Sequence, residues 1–208
     1  MQKVKSPFYV IEEFVSPRMC EDIVDSCDFL AANRDKEGHE IKTVKTNDQA
    51  ESMIYERLLG ILPELQAHYQ ILYKGTERVQ FEWFPEGSRG DFSCENSEFL
   101  RGKWLRTRQR DLTGVLFLSD YQDNIPFDGE FECYGGKLEF AQHKFGFNPQ
   151  RGTLVVFPSA PHFINNTTEI LAGDLFQARI QIAAKTPFLY NPEAFPGNYT
   201  SWFAELMK

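Results

Sequence analysis

The chain has no CxxC pair: its cysteines, Cys20, Cys27, Cys94 and Cys133, are scattered, with at most one histidine near any of them. That spacing excludes a zinc ribbon or finger and leaves reduced thiols of a cytoplasmic protein as the expected state. No apolar run approaches the ~20 residues of a membrane-spanning helix. The stretch Met1-Gln2-Lys3-Val4-Lys5-Ser6-Pro7 lacks an apolar core, so no signal peptide is expected. Cations are in deficit, 22 Lys and Arg against 30 Asp and Glu, a net charge of -8. A general nucleic-acid binder needs a basic face, and an anionic membrane surface attracts one, so neither partner is expected. Repeats, low-complexity tracts and linkers are absent too, and 208 residues is the size of one domain.

What the chain does have is phenylalanine, 19 of them, in a composition 42% hydrophobic and 14% aromatic. Such a content suits the interior of a β-barrel or sandwich. Phe8 to Phe14 alternates as a short strand. Ser16-Pro17 reads as a helix start, serine as N-cap and proline at the first helical position. Met19, Cys20, Ile23, Val24, Cys27 and Leu30 follow at helical spacing. The polar stretch 33–47 reads as a loop. A second helix is expected from about Asp48 to Leu72, with Ile54, Leu58, Leu62, Leu65 and Tyr69 on its apolar side and Pro63 kinking or dividing it.

From residue 77 the period becomes two. Strands are expected over 78–84, 113–119, 137–140, 153–157 and 175–183. Helices followed by many strands predict an α+β fold, with residues 1–76 as helical support packed on one sheet of a β core at 77–186. Residues 187–208 form a tail whose Phe188, Tyr190, Phe195, Tyr199, Trp202 and Phe203 are expected to pack back on the domain. The basic run Arg101, Lys103, Arg106, Arg108 and Arg110, with Trp104 among it, reads as a solvated loop, or as a grip for an anionic substrate or peptide. The turn-rich segment Asp120 to Cys133 has the length of a lid or substrate wall.

Three stretches carry a resemblance. They are Arg110-Asp111-Leu112-Thr113-Gly114-Val115-Leu116-Phe117-Leu118, then Tyr134-Gly135-Gly136-Lys137-Leu138-Glu139-Phe140, then Pro149 to Ser159 followed by His162. In that order they resemble the iron- and 2-oxoglutarate-dependent dioxygenases, in their prolyl-4-hydroxylase-like branch. The resemblance implies a double-stranded β-helix, or jelly roll, and Fe(II) with 2-oxoglutarate as cofactors. The family binds iron through a His-x-Asp pair and a distant second His. Residues two apart on a strand share a face, so such a pair can take adjacent positions on one metal. The facial triad leaves open positions for 2-oxoglutarate and dioxygen.

Here the pair's place reads Ser93-Cys94-Glu95, and the second histidine corresponds to His162. By resemblance the metal residues are His162 and Glu95, with Ser93 at the position of the missing His. His143 falls outside the motif. The branch anchors 2-oxoglutarate with a Lys or Arg two residues after a glycine. After Gly173 that position holds Leu175, so the cofactor-binding cation implied is Arg179, four residues on along the same strand face. Two functions follow. The first is a divergent hydroxylase-type oxygenase, using Glu95 and His162 with water in place of the lost imidazole, on a small-molecule or peptide substrate. The alternative is a pseudo-oxygenase that binds a ligand or protein partner without redox turnover.

Overall fold

A computed structural model describes residues 6–27, 29–34, 40–44, 48–123 and 130–195, with the backbone alone for 29–34 and 40–44. Strand β1 (Tyr9–Ile11) leads into α1 (Pro17–Asp25), then β2 (Phe29–Arg34), β3 (Glu40–Val44) and α2 (Asp48–Tyr69). Strands β4 (Tyr73–Thr76), β5 (Gln80–Phe84), β6 (Ser97–Leu100), β7 (Lys103–Arg106), β8 (Leu112–Phe117) and β9 (Asp120–Tyr121) follow. The last are β10 (Glu132–Gly135), β11 (Leu138–Phe140), β12 (Phe145–Phe147), β13 (Leu154–Pro158), β14 (Asn165–Thr167), β15 (Ile170–Gly173) and β16 (Leu175–Ala184).

The main sheet runs β1-β13-β8-β16-β5-β3-β2, with β4 also on β16. Its strands alternate sides, as the pleat requires. Leu112 and Leu116 of β8, Leu154 and Val156 of β13, and Ala178, Ile180 and Ile182 of β16 meet the buried sides of α1 and α2, among them Ile23, Ile54, Leu58 and Leu65. The opposite face carries Phe84, Val115, Phe117, Val155, Phe157 and Leu175. Two small sheets, β15-β10-β9 and β12-β11-β14, cover that face and supply Cys133, Leu138, Phe140, Phe145, Phe147 and Ile170. The result is an α+β fold: a jelly-roll core with the helices packed on one sheet.

Ser16 caps α1 as its sequence predicts, accepting from the Met19 amide at 3.3 Å. The helix stops at Asp25, and residue 30 lies in a strand. Pro63 does not divide α2. The loop expected at 33–47 contains strand instead: β2 pairs β3, and β3 joins β5 through Lys42↔Trp83 and Thr43↔Glu82. A main-chain ladder needs no apolar pattern, so a polar stretch at a sheet margin can be recruited into it. The tail packs back through Phe195, which is buried, and through Phe188, whose ring lies 5.8 Å from that of Tyr69. Tyr199, Trp202 and Phe203 lie outside the described residues, as do positions 124–129 of the expected lid.

Candidate functional site

Strand β16 carries the site. Its inward positions are Leu175, Gln177, Arg179 and Gln181, all buried. Leu175 sits among the phenylalanines; the other three are polar. The register places Gln177 opposite Glu82 of β5, Arg179 opposite Val115 of β8, and Gln181 opposite Thr113 of β8. From the neighbouring segment, Ser93 and Asn165 exchange both main-chain hydrogen bonds, at 2.9 and 3.1 Å. That exchange holds the Ser93–Glu95 segment beside the start of β14.

Arg179 is the hub. Its Nε donates to Glu82 Oε2 at 3.0 Å, and its Nη1 donates to Glu95 Oε1 at 3.2 Å and to Asn165 Oδ1 at 3.1 Å. Burial pushes its pKa down, but the carboxylates of Glu82 and Glu95 more than offset this and leave it raised, so the guanidinium stays charged. Gln177 Nε2 donates to Glu82 Oε2 at 2.6 Å. Glu95 receives four donors: Ser93 Oγ at 3.1 Å and Arg179 on Oε1, Gln181 Nε2 at 2.9 Å and Arg110 Nη1 at 3.4 Å on Oε2. A carboxylate offers about four acceptor positions. Those of Glu95 are therefore committed inside the protein.

The network extends further. Gln181 Oε1 accepts from Thr113 Oγ1 at 3.0 Å, and the Thr113 hydroxyl lies 2.7 Å from that of Ser159. Arg110 grips Glu77 with Nε and Nη2 at 2.8 and 2.6 Å. That bond holds the Glu77 carboxyl below its usual range, against a smaller opposing effect of burial. Arg110, expected in a solvated loop, is buried because it has these acids to meet.

The structure bonds Ser93 and Arg179 to Glu95, and among the described residues His162 has no hydrogen bond or ion pair to any of the three. His162 is exposed on a short 3-10 turn at Pro161–Phe163, its ring 5.2 Å from that of Tyr190. Among the described residues it shares no hydrogen-bond or ion-pair partner with Glu95. The His162 main chain is bonded by the imidazole of His143, whose pKa burial pushes down. Among the described residues no three His, Cys, Asp or Glu side chains gather as a metal-ligand set. The place where Ser93, Glu95 and Asn165 converge is filled by the Arg179 guanidinium. A saturated carboxylate, a neutral hydroxyl and an amide oxygen do not fit ferrous iron. Arg179 is paired with Glu82 and Glu95, and Leu175 presents only hydrocarbon.

Glu82, Asn165, Gln177, Gln181 and Ser159 belong to this cluster without having been singled out from sequence. One signal was present: Gln177, Arg179 and Gln181 mark every second position of an otherwise apolar strand, which is a polar inner face.

Comparison with solved structures agrees on the fold. The chain is similar to a viral collagen prolyl hydroxylase from Paramecium bursaria Chlorella virus-1, solved with 2OG. The TM-score is 0.62 at 16% identity, covering 87% of this chain and 97% of that one. It is also similar to a Trichoplax adhaerens prolyl hydroxylase in complex with a hypoxia inducible factor peptide, with TM-score 0.60, 11% identity, and 86% and 84% of the two chains. A Pseudomonas putida prolyl-4-hydroxylase matches with TM-score 0.54 and 15% identity over 87% and 94% of the chains. No protein-family model matches the chain, and no curated protein does. The fold is that of the prolyl-4-hydroxylase-like oxygenases. No described helix is long and apolar enough to cross a membrane.

Proposed function

We propose that this chain is a prolyl-hydroxylase-like pseudo-oxygenase, a jelly roll that binds a ligand or protein partner without iron-dependent turnover. One observation carries the reading: the Arg179 guanidinium is held by Glu82, Glu95 and Asn165, directly on the carboxylate that the resemblance offers to a metal. A positive charge in that place satisfies Glu95 and repels a divalent cation. The Ser93 hydroxyl supports Glu95 instead of facing a metal. The oxygenase reading needs Glu95 and His162 on one iron, whereas Glu95 is buried and bonded within the protein and His162 is exposed.

The test is anaerobic equilibrium dialysis against ferrous iron with metal analysis, followed by succinate detection after 2-oxoglutarate and air are added. The expected result is iron no higher than in a protein-free blank and no succinate. Stoichiometric iron with succinate release overturns the proposal.

A further inference from the structure

Strands β6 and β7 form a hairpin that pairs with no other strand among the described residues. A two-stranded hairpin is marginally stable by itself. This one is tied down at its base, where the Arg106 guanidinium donates to Asp111 at 2.9 Å and the Thr107 amide donates to the Asn96 carbonyl at 2.9 Å. Beyond that base, among the described residues, both edges are open and both faces are exposed. Five of the nine exposed large hydrophobic side chains among the described residues lie in this short stretch: Phe92, Phe99, Leu100, Trp104 and Leu105. Phe99 and Trp104 are directly opposite in the ladder, their rings 5.3 Å apart, and Phe99 is 60% exposed. An apolar aromatic pair left in water on an unpartnered strand pair marks a contact surface.

The charge of the hairpin opposes that of the molecule. Arg101, Lys103, Arg106 and Arg108 stand against Glu98 alone between residues 97 and 109, on a chain of net charge -8. Arg101 and Lys103 meet no carboxylate among the described residues. Arg101 sits at the tip with φ 52°, followed by Gly102 at φ 81°. This is the turn that two-residue hairpins usually build from Asn or Asp followed by Gly. An arginine here adopts a left-handed backbone that its Cβ disfavours, and it holds a cation at the end of the hairpin.

We infer that the β6–β7 hairpin docks an extended acidic segment of a partner protein. The segment adds as a third strand along the open edge of β7. Its carboxylates meet Arg101, Lys103 and Arg108, and an apolar side chain covers Phe99 and Trp104. Main-chain pairing completes the sheet, and charge complementarity selects the partner. A nucleic-acid strand suits the surface less well. An open strand edge offers main-chain pairing that only a polypeptide can complete, and the second face offers Leu100 and Leu105, which do not stack on bases. The inference does not depend on the iron-free reading of the interior.

The test uses the full chain and a fluorescein-labelled peptide of alternating glutamate and apolar residues, read by anisotropy. Controls are the same peptide with lysine for glutamate and a thymidine oligonucleotide. The acidic peptide is expected to bind saturably, and more weakly as salt rises from about 50 to about 500 mM. Arg101→Glu with Lys103→Glu is expected to weaken it roughly ten-fold or more, as is Trp104→Ala, with thermal midpoints unchanged because these side chains are exposed. No binding of the acidic peptide, equal binding by the charge-reversed variant, or tighter binding of the oligonucleotide overturns the inference. Concentration-dependent sedimentation that the same reversal abolishes also overturns it, since the hairpin's partner would then be a second copy of the chain.

Discussion

Glu95 and Arg179 decide the chemistry of the interior, and their interdependence can be measured. Burying a charge is costly, and its partners are what make it tolerable. Arg179→Met leaves the buried Glu95 and the half-buried Glu82 without their shared cation, a change expected to cost about 3–5 kcal/mol in urea unfolding. Arg179→Met combined with Glu95→Leu is expected to recover part of that loss, because the removed charges no longer face an empty site. Simple additivity of the two single losses would show that the pair is not coupled. The same geometry predicts that Ser93→His alone confers no iron binding, since Arg179 still fills the hollow. Ser93→His with Asn165→His and Arg179→Leu opens it, and ferrous uptake by the triple variant but not the single one is the expected contrast. The polar face of β16 was legible in the sequence, because Gln177, Arg179 and Gln181 alternate with apolar neighbours. Their partners were not. Glu82 reaches Gln177 only through the β5–β16 register, and the asparagine meeting Arg179 comes from the bridge between Ser93 and Asn165. His162 was offered as a ligand by its motif, and its place, exposed on the turn at Pro161–Phe163, was not legible there.

Elements announced themselves in proportion to how locally they are specified. Helix α1 carries its own start, since the Ser16 side chain and Pro17 satisfy its first turn without tertiary help. Ser16→Ala is expected to lower stability by about 1 kcal/mol, read from the denaturant midpoint. Helix α2 was legible from the period of Ile54, Leu58, Leu62, Leu65 and Tyr69, but its continuation through Pro63 was not, because packing of that stripe outweighs one missing main-chain bond. Strands β8 and β13, mostly apolar and buried throughout, and β16, which alternates, were legible. The polar strands at 29–34 and 40–44 were not, because their pairing is a property of the β5 edge. The turns between elements give a sharper contrast. Gly152 has φ 83°, and a Cβ there would lie 2.3 Å from the Val15 carbonyl, whereas Gly102 has φ 81° and open space around it. Gly102→Ala should therefore incur backbone strain alone, about 1 kcal/mol. Gly152→Ala must also displace the chain entering α1, and is expected to lose clearly more. Equal losses would show that the Val15 contact does not constrain the turn.

Across the whole molecule, the main sheet separates two apolar clusters, one beneath the helices and one inside the jelly roll, and the ionic network extends from the second. Titratable groups in and beside these layers tie folding to pH at both ends. On the acid side, His143 has its pKa lowered from 6.5 by burial, and Glu77 has its pKa lowered from 4.5 by the Arg110 hydrogen bond. Both fold best deprotonated. Their contributions are complete above those unfolded values and are lost as pH falls through the folded ones. On the alkaline side, burial pushes the thiols of Cys20 and Cys133 from 9.0 to about 12. The folded state keeps protons that the unfolded chain releases, so this stability is complete below pH 9.0 and is lost as pH rises toward about 12. The urea midpoint should therefore be flat between the histidine and thiol ranges and fall on either side. Cys133→Ala removes one of the protons at stake. Its midpoint is expected to start lower, because a buried side chain has been shortened, and then to fall less steeply above pH 9.0 than the parent's. An unchanged alkaline slope in that variant would place the released proton on another group.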